Sequence, residues 1–207
     1  AGDGETTEVS FNVEVPGETV VTKGISDAST TDELICQVFL NDGNYTPVPE
    51  LTQKVAVDAA THKAKVEFSL VKGNRYAFIF WAQASGTDYY ETSDLRSVKM
   101  NVNNVKANEP KMDAFWATAT QTATSTPSKN NIIMYRALAQ VNFGAVLPAQ
   151  GRADAVTVTK STISMKGVPD TFHPFLGGKS TACEGSVDIT FAENATIDEN
   201  LTVASVD

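Results

Sequence analysis

The stretch Lys65-Val66-Glu67-Phe68-Ser69-Leu70-Val71-Lys72-Gly73-Asn74-Arg75-Tyr76-Ala77-Phe78-Ile79-Phe80-Trp81-Ala82 decides the fold class. In its first part, apolar Val66, Phe68 and Leu70 alternate with Lys65, Glu67 and Ser69. Successive side chains of a strand point to opposite faces, so this is a strand with one face on a core and one in water. Its last part, residues 76–82, is apolar at every position, which predicts a central strand covered on both faces. Gly73-Asn74 between them is turn chemistry, and the two strands are expected to pair as a hairpin.

Both patterns recur outward from there. Val9, Phe11, Val13 and Val15 alternate with Glu8, Ser10, Asn12 and Glu14. Val98, Met100 and Val102 alternate with Lys99 and Asn101, and Val187, Ile189 and Phe191 form a last alternating run. Residues 34–40 read as a second central strand. Asp42-Gly43 and Gly86-Thr87-Asp88 mark turns, and Pro47 and Pro49 mark a loop or an edge. Helical signal is thin: residues 113–119 are expected to hold a turn or two of helix. Residues 121–131, rich in Ser and Thr with Pro127, are expected to be a mobile surface loop. Many short strands, frequent turns and little helix predict a mainly β protein, a β-sandwich with Greek-key connections.

The 207 residues suffice for one large β domain or two small ones. At 42% hydrophobic and 20% charged residues the composition is that of a globular protein. The net charge of −9, from 16 basic and 25 acidic residues, argues against nucleic acid and against anionic lipid, since both repel an acidic surface. The longest apolar run is far below the roughly 20 residues that span a bilayer. Residues 1–7 are small, polar and acidic, as expected of a tether left after a signal has been removed. Of the two cysteines, Cys36 lies in an apolar run and is expected to be a buried free thiol, with a Cys36–Cys183 bridge as the lesser alternative.

No catalytic or cofactor constellation emerges. His62 and His173 are far apart and lack metal-ligand spacing, and His62 follows a polar turn. No G-x-S-x-G elbow or D-x-D-x-D-G calcium loop occurs. Gly177-Gly178-Lys179-Ser180 resembles the end of a phosphate-binding loop, but His173 stands where the pattern needs glycine. A tight glycine turn is the sufficient reading there. The chain is therefore read as non-enzymatic and cofactor-free. Among the aromatics, Trp81 is expected in a core. Tyr89 and Tyr90, behind a glycine turn, are expected to be exposed and able to face a ligand such as a glycan.

Several segments in order resemble a known family. They are residues 10–15 followed by Pro16 and Val21-Thr22-Lys23-Gly24; residues 76–83 with Asp88-Tyr89-Tyr90 and Asp94-Leu95; Asn108-Glu109 with Asp113-Ala114-Phe115; and Thr171-Phe172 with Gly177. The most specific is Arg136-Ala137-Leu138-Ala139-Gln140-Val141-Asn142-Phe143-Gly144. Together they resemble the fimbrillin-like surface lipoproteins of the Bacteroides group, the type V pilins. The resemblance implies a transthyretin-like β-sandwich, export as a lipoprotein to the outer membrane with contact to the membrane only through a lipid anchor, and a role as a structural or adhesive fimbrial subunit. It further implies that a trypsin-like protease cuts at Lys23, where the family usually has Arg. The plug strand carrying Val9, Phe11, Val13 and Val15 then leaves, and a strand from another pilin subunit replaces it. Residues 1–23 would then be tether and plug and residues 24–207 the rest of one sandwich, with the family's C-terminal pilin domain expected to be absent. Partners implied are other pilin subunits, the protease, and a receptor on a host or bacterial surface. A glycan- or ligand-binding surface lipoprotein module is the alternative.

Overall fold

A computed structural model describes residues 4–17, 28–106, 109–138, 162–182 and 186–190. Three sheets stack in layers. The first has the order β4 (Lys63–Val71), β1 (Thr6–Glu14), β9 (Ser128–Ile133). The second runs β10 (Tyr135–Arg136), β8 (Phe115–Thr122), β5 (Arg75–Gln83), β2 (Glu33–Leu40), β3 (Gln53–Ala56). The third runs β13 (Lys179–Ala182), β12 (Pro169–His173), β7 (Val98–Met100), β6 (Tyr90–Glu91). A separate two-stranded sheet joins β11 (Thr162–Lys166) to β14 (Ser186–Thr190).

The protein is a mainly β sandwich, as expected, and the second sheet is its middle layer. Along β5 the side chains divide by parity. Tyr76, Phe78, Phe80 and Ala82 enter one core and Ala77, Ile79 and Trp81 the other. Strand β2 divides likewise, with Leu34, Cys36 and Val38 on the first side and Ile35 and Phe39 on the second. The run of apolar residues on both faces is thus explained by sheets on both faces. The first core is closed by β1, β4 and β9, and the second by Tyr90, Val98, Leu95 and the partly buried Phe172.

The expected hairpin between β4 and β5 does not form. β4 pairs antiparallel with β1, while β5 pairs antiparallel with β2 and β8. The Gly73 turn, with φ +86°, hands the chain from the first sheet to the second. The physical reason lies in the two patterns. In one sheet with β5, the polar face of β4, which carries Lys65, Glu67 and Ser69, would be driven into the second core. Only the outer layer lets that face stay wet.

Two further expectations fail. Residues 113–119 hold no helix beyond a 3-10 turn at Pro110–Met112 before them, and residues 115–122 are strand β8. The stretch expected as a mobile loop is the end of β8, a turn, and strand β9. β8 is rich in Ala and Thr, and β9 carries two Asn beside Ser128 and Lys129. Ala117 and Ala119 lie opposite Phe80 and Phe78 in the ladder, so small residues fill what the rings leave free. Pro47 bridges to Phe39 and Pro49 opens a 3-10 turn, Pro49–Leu51, beside the edge strand β3. Cys36 is buried and free, and burial pushes its thiol well above the ordinary range. Cys183 and Phe191 lie outside the described residues.

Candidate functional site: the slot filled by the first strand

Strand β1 owes its conformation to alternation: β-branched valines and one phenylalanine point inward and Glu8, Asn12 and Glu14 point outward. Val9, Phe11, Val13 and Val15 are each 1% exposed. The ring of Phe11 is the centre of the row. Its centroid lies 4.7 Å from Phe78, 5.2 Å from Phe80 and 6.3 Å from Phe68. The floor beneath is Leu34, Cys36, Val38, Phe115 and Ala117 from the middle layer. At about 1.5–3 kcal/mol per buried side chain, the four expected plug residues hold about 6–12 kcal/mol of hydrophobic free energy.

β1 is the middle strand of its sheet. It runs antiparallel to β4 from Thr6↔Val71 to Glu14↔Lys63, and parallel to β9 from Val9↔Ser128 to Glu14↔Ile133. The ends are held as well. Lys72 N–H donates to the Glu5 carbonyl at 2.8 Å, Met134 N–H to that of Glu14 at 3.0 Å, and Val15 N–H to that of His62 at 2.9 Å. Ion pairs Glu5–Lys72 (2.9 Å) and Glu14–Lys63 (3.5 Å) lie at the surface, where such pairs add little. The Lys72 ammonium holds the Glu5 carboxyl below the usual carboxylate range. Lifting β1 out would leave the facing edges of β4 and β9 roughly 9.5 Å apart, two strand spacings, over an apolar floor.

One inward residue of β1 escaped the sequence reading. Thr7 shares the parity of Val9 and is 5% exposed, and its hydroxyl has no hydrogen-bond partner among the described residues. Its position two residues before Val9 was the available signal. Lys23, the expected processing site, lies outside the described residues.

The expected ligand-facing aromatics are not a platform. Tyr89 is 6% and Tyr90 9% exposed, both in the second core. The Tyr90 hydroxyl donates to the Met112 carbonyl, and its ring meets Trp81 edge-on at 5.3 Å. Burial pushes the Tyr90 phenol far up. The reason is that the Gly86 turn folds β6 back over the middle layer instead of outward. An exposed aromatic stands elsewhere: Tyr135, 66% exposed, lies 6.1 Å from the half-buried Trp116.

The other sequence signals have structural roles. Gly177 and Gly178, with φ of +72° and +74°, turn the chain between β12 and β13, with no helix following. A Cβ on Gly178 would lie 2.8 Å from the Trp116 ring and 2.9 Å from Phe172. His62 is in the turn closed by Asp58, and His173 Nδ1 lies 3.2 Å from the Arg96 carbonyl. Among the described residues, no three His, Cys, Asp or Glu side chains gather where a metal ion could be held.

The family described as "Family of unknown function (DUF6562)" matches residues 2–199. The chain belongs to this family. No curated protein matches this DUF6562 member in sequence. Solved structures do match it. A candidate adhesin from Bacteroides thetaiotaomicron superposes with TM-score 0.59 at 16% identity, over 98% of this chain and 70% of that one. The fimbrial anchor protein Mfa2 from Porphyromonas gingivalis gives TM-score 0.57 at 9% identity, over 96% and 72%. A candidate adhesin from Bacteroides ovatus gives 0.56 at 11%, over 88% of this chain and 61% of its own length. The DUF6562 chain thus shares its fold with fimbrial and adhesin-type proteins, as the fimbrillin-like resemblance implied.

Proposed function

We propose that this chain is a structural and adhesive subunit of a cell-surface fimbria, exported to the outer membrane on a lipid anchor and joined to its neighbours by strand replacement. A trypsin-like protease cuts at Lys23, β1 leaves, and a strand of another subunit enters between β4 and β9. The observation that carries this reading is the place of β1. It is the middle strand of an outer sheet, near the N-terminal end of the described chain, and it fills an apolar row by alternation. A slot so made takes backbone hydrogen bonds on both sides and reads side chains at every second position, the physics of β-augmentation. The fold shared with a fimbrial anchor protein supports the same reading. Receptor contacts of the adhesive role fall on the outer surface, where Tyr135 beside Trp116 takes the place expected for Tyr89 and Tyr90.

Limited trypsin digestion, followed by mass spectrometry and size-exclusion chromatography, tests this. Cleavage after Lys23, loss of the N-terminal peptide, and either new oligomers or capture of an added strand peptide are expected. A chain cut there that stays monomeric and ignores strand peptides would sink strand replacement and favour a ligand-binding module.

A further inference from the structure

Resting on the strand-replacement reading, we propose that the slot reads a central aromatic and its flanking aliphatics but not the direction of the strand that carries them. Two independent observations combine. The first is in the sequence of the occupant. Glu8-Val9-Ser10-Phe11-Asn12-Val13-Glu14 reads almost identically backwards, with Phe11 at the centre, Val9 mirrored by Val13, Glu8 by Glu14, and only Ser10 against Asn12 to break the mirror. The second is in the walls. β1 is antiparallel to β4 and parallel to β9, so β4 and β9 run opposite to each other.

A strand turned end for end about the sheet normal through Phe11 keeps its inward face inward. It becomes parallel to β4 and antiparallel to β9. In an antiparallel pair, facing residues both direct their backbone groups toward, or both away from, the partner. In a parallel pair one does and the other does not. Half a turn swaps the side to which each residue of the strand points and swaps the two wall types together, so both ladders are restored. Each direction has one parallel and one antiparallel wall. Inside, Phe stays over Phe68, Phe78 and Phe80 with a valine on either side. Outside, a glutamate again ends beside Lys63, where Glu14 now sits at 3.5 Å.

What breaks the symmetry is small: in the inward row beyond residues 8–14, Thr7 mirrors Val15, a hydroxyl for a methyl on side chains of similar shape. The β9 ladder covers only Val9 to Glu14 whereas that of β4 covers Thr6 to Glu14. The present direction therefore gives the longer ladder to the antiparallel pairing, which is slightly the more stable. The incoming segment is of one chemistry: seven residues with an aromatic at the centre, β-branched aliphatics two places either side, and polar or acidic residues between. The direction of a joint must then come from whatever tethers that segment.

The test uses the full chain carrying Val9→Ser and Phe11→Ser, which leaves the slot poorly filled, and a synthetic peptide of residues 8–14 with a photo-crosslinker on its N-terminal end. Irradiation and mass spectrometry map that end. Attachment near Ser69 to Val71 reports the present direction, and attachment near Lys63 or Ile133 the reverse. Labelling at both ends, within about tenfold of each other, is expected. Labelling confined to Ser69–Val71 would overturn the proposal. So would equal binding of a control peptide with Phe moved one place, which is expected to bind at least about a hundredfold more weakly. If the variant folds only when peptide is supplied, recovery of soluble chain is the binding readout and the crosslink map is unchanged. Failure of every peptide to bind or rescue would instead strike the strand-replacement reading itself.

Discussion

On one face of the middle sheet, Phe78 and Phe80 meet the ring of Phe11 within a cluster of apolar side chains. On the other face, the Trp81 indole N–H donates to Gln83 Oε1 at 2.9 Å and Tyr90 donates to Met112. There too, the Gln37 amide gives hydrogen bonds to the Ser93 and Thr92 carbonyls and accepts one from Leu95 N–H at 2.9 Å. The first core is specified by size and parity. A strand with the right alternation and a ring at its centre satisfies it, because apolar contact has little direction. The second core is specified by directed hydrogen bonds, each of which needs one partner in one place. On the proposed strand replacement, a face of the first kind suits the strand that leaves, and a face of the second kind suits the scaffold that stays.

The largest test of that contrast is Phe11→Ala. It should lower unfolding free energy by about 3–5 kcal/mol in urea or guanidinium titration. A peptide of residues 8–14 should restore much of it in trans. A loss of similar size that no peptide repairs would break the comparison. The same change should expose the floor: in a Cys183→Ser background, Cys36 should pass from inert to reactive toward a thiol reagent, because the buried thiol stays protonated until the slot opens. On the other face, Gly178→Ala should cost roughly 1–3 kcal/mol. Its φ of +74° disfavours a side chain and the added carbon meets Trp116 and Phe172. Peptide should not rescue it. Gln37→Ala should cost about 1–2 kcal/mol, also beyond peptide rescue, by stranding Leu95 N–H. Thr7→Val should be the smallest change and the only gain, about 1 kcal/mol, read as a raised denaturation midpoint, because it removes a buried hydroxyl without a partner among the described residues.

Legibility in the sequence varied within the first core itself. β1 and β4 announce themselves by clean alternation, and Val9, Phe11, Val13 and Val15 are all found inward, whereas β8 and β9, which face the same core, carry helix-like and loop-like sequence. The doubly apolar runs placed β2 and β5 at the centre of a sheet, where they are. What misled was chemistry that is local in sequence but not in space. Gly73-Asn74 signals a turn equally well within a sheet or between sheets, so it could not say that β4 and β5 part company. Ala117 and Ala119 look like helix formers, and only the rings of Phe80 and Phe78 across the ladder make them strand residues. Tyr89 and Tyr90 look exposed in sequence because the carbonyl that accepts the Tyr90 hydrogen bond lies 22 positions away.

The way β1 is seated also bears on force. It lies between β4 and β9 with its ladders parallel to its own length, and its ends are tied at Glu5 and Val15. A pull along a strand so placed does not peel it off one bond at a time. It loads the whole double row in shear, and the rings that interlock with Phe11 must all slide together. A chain of subunits joined by such strands would resist stretching at every junction without a covalent link, yet each junction would still part if a strand were drawn sideways out of its slot.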